Sequence, residues 1–176
     1  MAHVKNNSGQ EEWHTPSCYI ESARKVMGGI DFDPCSCEKA NTIVKATQFF
    51  TKEQDAITTP WLDNVNVWCN PPYTRGVIGR IIETFIRNWE LGCSQSDIPF
   101  IKQAIFLTNN ATETKWGNML LSHCRAVCFP DKRIKFLDYN LEEAKSPLQA
   151  QMFTYFGGNR EEFREEFSQY GVVLFR

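Results

Sequence analysis

Ile78, Ile81, Ile82, Phe85, Ile86 and Trp89 recur at helical spacing, so residues 75–89 read as an amphipathic helix with one broad apolar face. Residues 17–27 predict a second helix, with Thr15 as its N-cap, Pro16 at the first helical position and Gly28-Gly29 as its stop. Short apolar runs rich in β-branched and aromatic residues predict strands at 30–33, 65–69, 103–107, 125–129, 151–156 and 172–175, with 47–50 a weaker candidate. Further helices are expected over 112–123 and near 160–168, the latter a charged, solvated face. Residues 92–99 read as a loop. Residues 132–147 read the same way, although Ile134-Lys135-Phe136 could pair as a strand. The alternation of strands and helices predicts an α/β sandwich around a largely parallel sheet. The last two strands are joined through a short helix, which leaves their mutual direction open.

Composition narrows the picture. A chain of 176 residues suits one domain over 13–176, preceded by a polar stretch at 1–12 that reads as a loose tail. It is 42% apolar and 13% aromatic, enough for a substantial core. With 19 Lys+Arg against 21 Asp+Glu the net charge is −2, which excludes a polybasic chain gripping nucleic acid by bulk charge but leaves room for a local basic patch. No apolar run approaches the roughly 20 residues needed to cross a bilayer, so no membrane association is expected. Seven cysteines at irregular spacing point to reduced thiols in a cytoplasmic setting.

The chemistry concentrates in Val67-Trp68-Cys69-Asn70-Pro71-Pro72-Tyr73, where a buried strand runs into a stiff turn. In open α/β sheets, ligands gather outside the carboxyl ends of the strands, which is where Asn70 falls. Asn70 offers an amide oxygen and Pro71 a carbonyl, while the prolines remove two N–H donors. Tyr73 adds a flat ring able to stack on a planar substrate. Two acceptors beside an aromatic face suit an exocyclic amino group. Accepting both its hydrogens draws the nitrogen lone pair out of conjugation and makes it a better nucleophile. The plain alternative is a proline-rich turn with Tyr73 as a packing residue.

Asn70-Pro71-Pro72-Tyr73 resembles the Asn/Asp/Ser-Pro-Pro-Tyr/Phe/Trp motif of amino-group methyltransferases. The ordered series Trp13-His14-Thr15-Pro16, Asp33-Pro34-Cys35, Phe49-Phe50-Thr51, Asp55, Trp61 and Trp68–Tyr73 is similar to the phage-type DNA N6-adenine methyltransferase family, with looser matches around 112–116, 133–136 and Ser146-Pro147. The resemblance spans about 13–156. It implies a Rossmann-like methyltransferase sandwich, mostly parallel, with a reversed strand near the C-terminus. It also implies S-adenosylmethionine as cofactor and double-stranded DNA as partner, with the target adenine flipped out of the helix. By the match, Asn70, Pro71, Pro72 and Tyr73 are the catalytic set. Asp33, Pro34, Cys35, Asp55, Thr15 and Pro16 fall at cofactor-binding positions, although Asp33 and Asp55 could instead cap turns and Thr15 its helix. After Asp33 the chain continues Pro34-Cys35-Ser36-Cys37-Glu38, where many methyltransferases have a glycine-rich loop.

Arg125, Lys132, Arg133 and Lys135 form a local basic cluster suited to phosphates, with Arg75 as an addition. A solvated loop is the plain alternative. Thr108-Asn109-Asn110 is placed to line a base pocket or to start a helix. Cys35-x-Cys37 with His123, Cys124 and Cys128 lacks the paired spacing of a zinc knuckle, so no metal is expected. The rival functions are an amino-methyltransferase acting on cytosine N4, an RNA base or a protein glutamine, and a catalytically silent DNA-binding relative.

Overall fold

The computed structural model describes residues 13–74, 76–92, 94, 98–143 and 149–176. The stretch read as a tail, Arg75, much of the 92–99 loop and Ser146-Pro147 lie outside the described residues.

Seven strands form one sheet: β1 (Phe32–Asp33), β2 (Gln48–Phe49), β3 (Val65–Cys69), β4 (Ile101–Asn109), β5 (Ala126–Pro130), β6 (Gln151–Phe156) and β7 (Gly171–Phe175). Their order is β2-β1-β3-β4-β6-β5-β7. The first four are mutually parallel, with Phe32 opposite Gln48 and Val67, and Cys69 opposite Phe106. β6 runs against both β4 and β5, and β7 runs against β5. The mostly parallel, Rossmann-like arrangement is therefore present, with two reversed strands rather than one.

Because both faces are covered, the central strands read as continuous apolar runs rather than alternating ones. Alternate residues still separate cleanly. Val67, Cys69, Ala104, Phe106, Met152 and Phe156 pack against α3 (Val77–Leu91) and α4 (Lys115–His123). Trp68, Ile105, Leu107, Phe153 and Tyr155 face α1 (Ser17–Met27) and α5 (Arg160–Phe167). The aromatic load is concentrated in these two layers. Phe85 sits with ring centroids 4.5 Å from Phe106 and 4.7 Å from Phe156, and Phe163 stacks 4.4 Å from Phe167.

Several boundaries differ from the sequence expectation for local reasons. Pro16, not Thr15, occupies the N-cap of α1, so the helix begins at Ser17 and Thr15 is released for other contacts. Gly76 takes a left-handed conformation (φ 81°), and the following helix starts at Val77 instead of residue 75. Thr114 caps α4 by accepting from the Gly117 N–H at 3.0 Å, which delays that helix to Lys115. A seven-residue helix, α2 (Glu38–Val44), fills part of the region left open after β1. Residues 134–136 form no strand. That segment is instead held by an isolated bridge between His14 and Leu137.

Candidate active site

Chain order and sheet order together locate the site. From β1 the chain moves outward to β2, then crosses back over β1 to place β3 on its other side. The connections from β1 and β3 thus leave in opposite directions, and such a switch opens a crevice at the carboxyl ends of the two strands. Asp33 ends β1 at that crevice, and Asn70 follows β3 there.

Asn70 is half-buried, and its Nδ2 donates to Thr15 Oγ1 at 3.4 Å. Thr15 is itself buried and lies next to His14, whose backbone exchanges two 2.8 Å hydrogen bonds with Leu137. With the amide nitrogen turned to Thr15, the Asn70 oxygen is the atom presented as an acceptor. Pro71 is buried and Pro72 exposed. Tyr73 keeps 42% of its surface exposed, yet its hydroxyl end is not free. The hydroxyl accepts from the backbone N–H of Asn109 at 2.6 Å, and burial pushes its acidity well below that of a free phenol. Asn109 closes β4, and its side chain accepts from Gln151 Nε2 at 2.8 Å across the β4–β6 pair.

Asp33 is buried at 2% exposure, and burial raises its pKa from 3.8 to about 7. The Cys35 N–H, donating to Oδ1 at 3.0 Å, opposes that rise without cancelling it. No ion pair reaches this carboxylate among the described residues. Pro34 is buried beside it, and Cys35 lies within reach of the buried Cys69, whose thiol is pushed up by burial and by Cys35. A thiol held protonated in this way is a poor nucleophile. Pro16 sits at the start of α1, adjoining Thr15. Asp55 lies on an exposed turn with φ 44°, where its two oxygens accept from the Ile57 N–H at 3.1 Å and the Thr58 hydroxyl at 2.9 Å. Its carboxylate is thereby engaged in capping its own turn.

The expected basic cluster is divided by the sheet. β5 runs in the same sense as β3, because β6 reverses between β4 and β5. Arg125 precedes β5 and so lies at the edge opposite Asn70, in a cleft of about 560 Å³ shared with Lys102, His123 and Arg176. Lys132, Arg133 and Lys135 follow β5 at the Asn70 edge, all exposed, on the segment that Leu137 ties to His14. Lys135 pairs with Glu143 at 3.2 Å. Arg75 lies outside the described residues. Gln151 was not anticipated as a site residue. Its signal in the sequence is a polar residue opening the mostly apolar strand β6. Among the described residues no group of three or more His, Cys, Asp or Glu is placed to hold a metal ion.

A family model described as DNA N-6-adenine-methyltransferase (Dam) matches residues 2–168. The chain belongs to this family. Dam-family membership makes it a DNA adenine methyltransferase by class, and the seven-stranded sheet with its switch between β1 and β3 agrees with that assignment. No curated protein matches the chain. Among the described residues no helix is long and apolar enough to cross a membrane.

Proposed function

We propose that this Dam-family protein transfers a methyl group from S-adenosylmethionine to the N6 amino group of an adenine flipped out of duplex DNA, acting in the cytoplasm. The observation that carries this reading is Asn70 at the switch crevice, its amide nitrogen donating to Thr15 and its oxygen thereby left as an acceptor, with the carbonyl of the next residue, Pro71, as the second acceptor that the motif supplies. Both acceptors hold the amino group and pull its lone pair toward reactivity. The Tyr73 ring stacks on the base, which compensates in part for the few kcal/mol that unstacking costs. Positioning and electrostatics then supply the rate, with no covalent intermediate on the protein.

The residues at the end of β1 suit the cofactor. A buried carboxylate without a cationic partner is costly by itself, and a positively charged ligand relieves that cost. Asp33 is such a group. When bound, the cofactor supplies an electrophilic methyl on a sulfonium. Asp33 would hold the positively charged amino group of its amino-acid part, together with Pro34, Cys35, Thr15 and Pro16. Asp55 contributes only if its turn opens. Lys132, Arg133 and Lys135 hold phosphates at the same edge, with Arg75, two residues after Tyr73 in the sequence, as an addition, whereas Arg125 lies at the opposite edge of the sheet. The test is incubation with methyl-labelled cofactor and DNA, followed by digestion to nucleosides. Label in N6-methyl-2′-deoxyadenosine that disappears in Asn70→Ala supports the reading. Label in methylcytosine would reassign the base, and no label in any nucleoside would overturn it.

A further inference from the structure

We propose that Asn109 and Gln151 are positioning residues for Tyr73, fixing the angle of the ring that stacks on the target base. This rests on the base-stacking role given to Tyr73 above. β3 leaves the sheet after Cys69, the residue opposite Phe106, while β4 continues through Leu107 and Thr108 to Asn109. The edge of β4 that β3 has vacated carries backbone groups with no strand beside them, and an unpaired N–H there carries a free-energy cost. The Tyr73 hydroxyl takes the missing strand's place, accepting from the Asn109 N–H at 2.6 Å. A phenylalanine in the same place could stack but could not make this bond.

The anchor is only as firm as the end of β4, and strand ends fray. Gln151 prevents that. It stands opposite Asn109 as the first residue of β6, is 6% exposed, and donates from Nε2 to Asn109 Oδ1 at 2.8 Å and to the Gln149 carbonyl at 3.3 Å. The Asn110 N–H adds a 3.1 Å bond to the Ala150 carbonyl. Tyr73, Asn109 and Gln151 thus form one linked set spanning three strands' ends, from the catalytic turn to the reversed strand.

The decisive experiment is a double-mutant cycle with Tyr73→Phe and Gln151→Leu, read by two measurements. Exchange of the Asn109 amide with solvent should speed up by about tenfold or more in either variant. Methyl transfer should slow by roughly five- to twentyfold in kcat with KM for DNA unchanged, because the ring is mis-set and not the phosphate contacts. In the Tyr73→Phe background, Gln151→Leu should have less than about a twofold further effect, since the link it supports is already gone. If Gln151→Leu does not fold, Gln151→Met replaces it, because a thioether of similar length cannot donate to Asn109. Multiplying single-variant effects, or unchanged Asn109 exchange in both, would overturn the inference. A wild-type protein that leaves adenine unmethylated would instead refute the proposed reaction, and the exchange arm would still decide whether Gln151 secures the Tyr73 anchor.

Discussion

Cofactor affinity should depend on pH through Asp33. Its pKa of about 7 means that most of the free protein carries the carboxyl protonated below neutrality. A cationic ligand needs the ionised form, so binding must expel that proton. Affinity should then fall about tenfold for each pH unit below 7, reaching roughly a hundredfold loss at pH 5, and level off above pH 7. Calorimetric titration with S-adenosylmethionine from pH 5 to 8, in buffers of differing ionisation enthalpy, measures both the affinity and the proton released. Asp33→Asn removes the titration, so its affinity should be weak and flat. The same carboxyl shapes stability in the free protein. The folded chain holds the proton more tightly than the unfolded one, so this contribution is full below pH 3.8 and is lost as pH rises through about 7. The whole interval is worth roughly 4 kcal/mol at about 1.4 kcal/mol per pH unit. An affinity constant within twofold across pH 5–8, or an equal slope in Asp33→Asn, would refute the reasoning.

Asn70→Ala should reduce methyl transfer by at least about a hundredfold while the thermal midpoint stays within a few degrees, because it removes an acceptor and not packing; activity near wild type in a radiolabel assay would contradict the role. Arg125→Ala should leave DNA affinity unchanged, whereas Lys132→Ala and Arg133→Ala should each weaken it and reduce the slope of log affinity against log salt by about one. Equal effects at Arg125 would show that the duplex reaches the opposite edge. Phe85→Ala, which empties a fully buried ring site between Phe106 and Phe156, should lose about 3–5 kcal/mol in urea unfolding.

What could be read in the chain follows from how local each signal is. β3 and the turn after it were legible because a strand buried on both faces ends at two prolines, and both properties belong to contiguous residues. The helical stripe from Ile78 to Trp89 was legible for the same reason, and only its start moved, when Gly76 adopted a left-handed backbone. The grouping of Arg125 with Lys132, Arg133 and Lys135 failed because nearness in sequence does not say which end of a strand a residue occupies. A five-residue strand intervenes and carries Arg125 to the other edge. Thr15 lies one position outside the N-cap of its helix, and its partner, Asn70, is 55 residues away. The bond from Asn109 to Tyr73 spans 36 residues and depends on β4 outrunning β3, a fact no local pattern carries.

That difference in length between neighbouring strands shapes the candidate site. β3 has five residues and β4 has nine, and β6 supports the far side of β4 in antiparallel register from Ala104 to Asn109. The reversed β6 pairs with β4 from Ala104 to Asn109 and delivers Gln151 to its tip. β4 therefore ends as a ledge, stiff on one side and open on the other. The prolines direct the chain off β3 toward that open side, where Tyr73 seats its hydroxyl and leaves its ring partly exposed. The reversed strand near the C-terminus thus supports the strand end against which Tyr73 rests.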